Sequence, residues 1–238
     1  METLGSDFNF FRNPKFADLR RTVDGYLKHL KSTERATGTR SDAITTLQEA
    51  GLWEQGTLGC HNAGALQNTI LWYLAKFFAL RGGDEIKKFQ PEDLLFHCEE
   101  DEKMRVTYFQ QKTKNNQGGL YNPGLTTTPK THIEDPEDRR SLTKLFALYI
   151  NKLDPTTVNT GVFWFKPKKE FNAQDNVWYT TSPVGKNLLG TFVKRLMNRA
   201  GYTEGRFTNH SLRISAINSL RSAGKISNFQ RSKFKTLF

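Results

Sequence analysis

The stretch Phe207-Thr208-Asn209-His210-Ser211-Leu212-Arg213 sets a histidine and an arginine three residues apart at the start of what reads as a helix. Residues i and i+3 of a helix share a face, so His210 and Arg213 project to the same side. The free amides of the first turn and the positive end of the helix dipole lie close by, a ready anion site. A forked guanidinium, a proton donor and backbone amides aimed at one spot suit a phosphate better than a carboxylate. Capping by Thr208 or Asn209 explains the same T-N-H-S letters with no ligand at all. The rest of the chain has to decide between the two.

Upstream, the apolar spacing predicts a row of amphipathic helices. Asn13-Pro14 starts one over 14–31, with Phe16, Leu19, Val23, Tyr26, Leu27 and Leu30 as a stripe that must dock on something. A polar linker follows, Lys31 to Arg40. Ser41 to Trp53 reads as a short capped helix, and the helix over 63–80 is the most apolar, ending at Leu80-Arg81-Gly82-Gly83-Asp84-Glu85. Arg81 there can point into a cleft from a rigid base, or simply complement the helix dipole. Arg105 to Gln111 alternates as a strand does, and Lys112-Thr113-Lys114-Asn115-Asn116-Gln117-Gly118-Gly119 is a hairpin-type turn near Asn115-Asn116 with two lysines on its shoulder. Asp135-Pro136-Glu137-Asp138 opens a helix over 137–152, and Gly161 to Phe165 is a short buried strand or extended run before the cationic Lys166-Pro167-Lys168-Lys169. Helices over 187–200 and 210–223 complete a mainly α chain with a small antiparallel β-hairpin sheet.

Net charge is +11, from 35 Lys and Arg against 24 Asp and Glu. Such a balance points to a polyanionic partner, most often nucleic acid. Arg40, Lys112, Lys114, Lys166, Lys168 and Lys169 are the cations expected to meet a DNA backbone. Two cysteines, Cys60 and Cys98, make no disulfide scaffold, and the sequence has no apolar run of membrane length, so a reduced, intracellular setting is expected. Each cysteine neighbours a histidine (Cys60-His61, His97-Cys98), but adjacent residues rarely converge on one metal and no C-x-x-C spacing exists. No metal and no cofactor is expected.

The order of these parts resembles the catalytic domain of tyrosine recombinases, the phage-integrase family, and more closely its Crypton-derived branch. That branch forms the C-terminal domain of certain MYM-type zinc-finger and glutamine-rich nuclear proteins. The phrases that carry the resemblance are L-W-E-Q-G-T-L-G (52–59), F-A-L-R-G-G-D-E (78–85), T-K-N-N-Q-G-G (113–119), F-T-N-H-S-L-R (207–213) and S-L-R-S-A-G (219–224). The resemblance implies a nuclear DNA-binding domain from a DNA recombination and integration family, able to assemble on DNA or with nuclear proteins. It implies catalytic roles for Arg81 and Arg213 in gripping a scissile phosphate, for His210 in handling a proton, and for Lys114 (or Lys112) in protonating the leaving 5′ oxygen. Asp84 or Glu85 would orient Arg81.

By the same resemblance, residues 1–40 hold a tail, the last helix of a core-binding region and a linker. Residues 41–224 form the recombinase-like domain, and 225–238 a basic tail. The family places a Gly-His or Trp, and then a tyrosine nucleophile, beyond H-x-x-R. Here the residues after Arg213 include no His, Trp or Tyr. Without a nucleophile no phosphotyrosyl intermediate forms, so DNA binding without cleavage is the expectation. A nucleophile borrowed from another chain, or a purely protein-binding role in a transcriptional regulator, are its rivals.

Overall fold

The computed structural model describes residues 13–32, 40–80, 84–110, 129–170 and 172–222. The chain divides into two compact units, Met1–Arg40 and Ser41–Phe238. In the first, Asn13 caps a 3-10 turn by accepting the Lys15 amide, and the helix α1 (Ala17–Ser32) follows.

The second unit is built on α3 (Ala63–Phe77), which follows α2 (Thr46–Glu54). Asn62 starts α3 by accepting the Ala65 amide at 2.8 Å. Its residues are apolar almost all the way round, and Leu66, Ile70, Trp72, Leu74 and Ala75 are fully buried, as such a helix requires. The helix packs against α5 (Leu142–Asn151) and α8 (Asn209–Ser222). It stops at Phe77, short of the expected residue 80, because Ala79 turns left-handed at φ 50°. Leu80 is nonetheless buried again.

After α4 (Asp84–Lys88) come β1 (Leu94–Cys98), β2 (Met104–Tyr108) and β3 (Lys130–Glu134), an antiparallel sheet in the order β1-β2-β3. Val106, opposite Phe96 and His132, is fully buried. The strand expected over 105–111 is therefore the middle of three. The expected Asn115-Asn116 turn lies outside the described residues, within the connection from β2 to β3. A second sheet pairs β4 (Phe165–Pro167) with β5 (Tyr179–Pro183).

Two expected helices differ in their bounds. Asp135 accepts the Glu137 amide at 2.8 Å and holds a turn, so α5 starts only at Leu142, capped by Ser141. The 187–200 segment divides into α6 (Lys186–Gly190) and α7 (Phe192–Arg199). The break is at Thr191, whose hydroxyl donates to the Asn187 carbonyl at 2.7 Å. The mainly α class with small antiparallel sheets holds throughout. Among the described residues no helix is long and apolar enough to cross a membrane.

Candidate functional site

At the start of α8, Thr208 is the cap. Its hydroxyl accepts the His210 amide at 3.2 Å, its carbonyl accepts the Ser211 amide at 2.8 Å, and its own amide donates to the Ser211 hydroxyl at 3.0 Å. Two of the amides expected to face an anion are thus already taken within the turn. A second hydroxyl contact, Ser41 to Thr208 at 2.7 Å, and the Ile44 amide on Ser215 at 2.7 Å fasten the 41–44 segment to α8. Asn209 turns the other way and is buried. Its amide nitrogen donates to the Leu189 carbonyl at 2.8 Å and its oxygen accepts the Val193 amide at 3.2 Å, locking α6 and α7 to α8. The T-N-H-S letters are used for capping and splicing.

His210 and Arg213 sit one turn apart as the spacing requires, but at different depths. His210 is exposed, while Arg213 is only 3% exposed. Arg81, Lys112 and Lys114 lie outside the described residues, as does the Asp84 side chain. Glu85, the other carboxylate considered beside Arg81, accepts from Gln110 at 3.1 Å.

A cation that the sequence reading passed over lies at the end of α3. Lys130, the first residue of β3, donates through Nζ to the Phe78 carbonyl at 2.6 Å, and its ammonium stands 6.0 Å from the Tyr108 ring centre. Phe78 lies two residues before the buried Leu80. The signal was the alternation of Lys130-Thr131-His132-Ile133-Glu134, hidden because His and Lys, not aliphatics, occupy inward positions.

The Lys166 to Lys169 run lies elsewhere. Gln67 donates to the Phe165 carbonyl at 2.8 Å and the Tyr179 hydroxyl to the Ala63 carbonyl at 2.8 Å, which seats the β4–β5 pair at the N-terminal end of α3. At 1.5 Å per residue, that is roughly 20 Å from the Lys130 end. Lys166 and Lys169 are exposed and Lys168 half-buried, with its charge helping to hold Asp154, whose carboxyl is bound first by Thr156, below the usual carboxylate range. Arg40 is exposed at the end of the first unit. A groove of about 1090 Å³ between α4, α5 and the 154–165 segment, lined by Lys87, Ile150, Leu153, Val162 and Phe163 among others, includes none of the expected site residues.

The L-W-E-Q-G-T-L-G phrase is the end of α2 and a turn fastened to α3. Thr69 accepts the Gly59 amide at 2.8 Å and donates to the Gly59 carbonyl at 3.1 Å. Gly59 has φ 149°, and the His61 ring occupies the space a Cβ would take.

Four of the tyrosines that the structure describes in the second unit are poor nucleophiles. Burial pushes the Tyr73, Tyr108, Tyr149 and Tyr179 phenols well above their ordinary range. Tyr73 donates to the Arg140 carbonyl at 2.7 Å, and Tyr149 to Phe163 at 3.2 Å. Tyr202 is half-buried with its hydroxyl lying where a Cβ on Gly51 would be, which makes it a packing residue.

These elements define a mainly helical domain with two small antiparallel sheets, centred on α3. Residues 43–198 match the domain of unknown function DUF3504, and the chain belongs to that family. Among its relatives, mouse zinc finger MYM-type protein 3 is 23% identical over 167 residues, 65% of this chain and 12% of that protein. Human zinc finger MYM-type protein 2 is 23% identical over 203 residues, 79% of this chain and 14% of its own length. Human transcriptional regulator QRICH1 is 22% identical over 161 residues, covering 63% and 20%. The chain thus spans no more than a fifth of the curated relatives it matches. The solved structure of the XerH site-specific recombinase bound to its difH substrate, a pre-cleavage complex, superposes with a TM-score of 0.45 at 17% identity. It covers 76% of this chain and 43% of that one. Two of these relatives are MYM-type zinc finger proteins, as the resemblance implied.

Proposed function

We propose that this domain binds the DNA backbone, descends from a tyrosine recombinase and, as these 238 residues, does not cut DNA. The observation that supports it most is the packing of α8, bearing H-x-x-R, directly on α3, the helix that precedes Arg81 in the sequence. Lys130 reaches the same end of α3 from the hairpin whose connection carries Lys112 and Lys114. A net charge of +11 adds the long-range attraction. Arg81, with the hairpin lysines, would grip phosphate oxygens by charge-assisted hydrogen bonds. Non-cleavage is supported by Tyr73, Tyr108, Tyr149 and Tyr179, whose buried phenols with raised pKa values are poor nucleophiles. The relatives' names support a setting in nuclear gene regulation.

A second reading, a protein-interaction domain with a relic cleft, is favoured by the burial of Arg213 and by the occupied first-turn amides of α8. Duplex binding measured across a salt series separates the two. The DNA reading expects log affinity to fall with log salt by roughly 0.9 for each phosphate neutralised, with little sequence preference. Arg81→Ala combined with Lys114→Ala should weaken binding to every sequence. Affinity indifferent to salt and to these substitutions favours the second reading. A covalent adduct on a nicked duplex would overturn non-cleavage, and one formed only with an added second chain would mark a borrowed nucleophile.

A further inference from the structure

Ala79 stands in a conformation that its own side chain opposes. Its φ is 50°, a left-handed setting in which the Cβ of an L-residue crowds the following carbonyl oxygen, and which helix ends usually give to Gly or Asn. Both neighbours are pinned. Phe78 is fully buried and Leu80 is 1% exposed. The Phe78 carbonyl is held at 2.6 Å by the Lys130 ammonium. That hold crosses the fold, because Lys130 opens β3, whose pairing partner is β2 and not α3. Lys130 is half-buried, not sealed in, and its ammonium stands 6.0 Å from the Tyr108 ring centre. An ammonium bonds a neutral carbonyl less strongly than it bonds an anionic phosphate oxygen. A phosphate arriving at β3 therefore draws Lys130 away, and Ala79 then has less to hold it against its own preference.

On the strength of the DNA-backbone reading, we propose that Lys130 and Ala79 form a latch worked by DNA. With no duplex bound, Lys130 holds the Phe78 carbonyl and with it the left-handed Ala79. A backbone phosphate that takes the ammonium lets Ala79 relax. Such a latch makes stability and affinity move in opposite directions. Gly accepts a positive φ at no steric cost, so Ala79→Gly removes the strain from the unbound state and leaves binding nothing to release. In the full chain, Ala79→Gly should raise the urea midpoint and weaken binding to a short mixed-sequence duplex severalfold at constant salt. Ala79→Asn, also tolerant of the left-handed region, should do the same in smaller measure. Cross-correlated relaxation in NMR reports the sign of φ directly. For Ala79 it should be positive in the free chain, negative with saturating duplex, and negative in unliganded Lys130→Met, with Lys130→Arg restoring the positive value. A higher urea midpoint at unchanged affinity overturns the latch and leaves Ala79 an ordinary helix end. A positive φ that persists in Lys130→Met overturns it too. A chain that binds no duplex overturns the DNA reading and the latch with it, whereas one that binds with Ala79 still left-handed overturns the latch alone.

Discussion

At the N-terminal end of α3 the polar groups around Gln67 are paired inside the protein, whereas its C-terminal end is met by a half-buried lysine. Gln67, itself buried, donates to both the Phe165 carbonyl and the Tyr149 hydroxyl, and Tyr179 donates to the Ala63 carbonyl. Around them Phe89, Tyr149, Phe163 and Trp164 form an aromatic cluster, with Phe163 and Trp164 centred 4.6 Å apart. At the other end a half-buried Lys130 holds the Phe78 carbonyl, and a stacked column of Tyr73, Phe77 and His132 leads to Glu134. The difference teaches where function can reside. A saturated network fixes position, while groups at a half-open end can change partners with little structural cost.

The largest effect should come from the saturated end. Gln67→Met keeps the volume but leaves the Phe165 carbonyl and a Tyr149 lone pair without a donor in a buried site. It should lower unfolding stability by about 1–3 kcal/mol, read as a lower urea midpoint at unchanged slope, with DNA affinity unaltered. Affinity falling with stability intact would break the contrast.

Glu134 gives the intermediate effect and sharpens the contrast through pH. Its carboxylate accepts the Leu142 and Thr143 amides at 2.8 and 2.7 Å and the Thr143 hydroxyl at 2.6 Å, closing the start of α5. Burial would raise this carboxyl, but those bonds and the His132 contact outweigh it and hold its pKa below the usual glutamate range. The folded value is depressed, so the stabilisation is full above the ordinary glutamate pKa and is lost as pH falls through the folded one. His132, stacked on Phe77, and the nearby Tyr73 phenol are the other titratable groups facing it. Glu134→Gln should cost about 1 kcal/mol at neutral pH, as loss of a charged helix-start acceptor does, and should flatten the acid limb of a stability–pH curve. An unchanged acid limb would remove Glu134 from that role.

Smallest in stability, Lys130→Ala should cost less than about 1 kcal/mol, because Lys130 is itself half-buried and removing its stem admits water to the Phe78 carbonyl. It should instead lower duplex affinity and reduce the salt slope. Lys130→Ala that destabilises as much as Gln67→Met would make the two ends alike.

The helices were legible because burying one face of a 3.6-residue period writes itself into spacing, as in Leu66, Ile70 and Leu74. Their ends were less so. Ala79 turning left-handed, Thr191 bonding back to Asn187 and Asp135 holding a turn are local choices among conformations that the letters leave open. β1 and β3 escaped notice because their outward residues include Leu95 and Ile133 while His132 points inward, inverting the alternation that marks a half-buried strand. At the site, the sequence named H-x-x-R but allowed its first turn to be either an anion cradle or a cap.

By itself, then, the sequence determined the helical class, the position of the apolar α3 and the excess of positive charge, since each is a sum or a period along the chain. Only tertiary structure decided that Thr208 occupies the first amides of α8, that Arg213 is buried while His210 is exposed, and that Lys130 stands at the end of α3. Those outcomes depend on which distant residues arrive beside them, Ser41 to Thr208 and Phe78 to Lys130. Such meetings across the fold leave no period in the chain to be read.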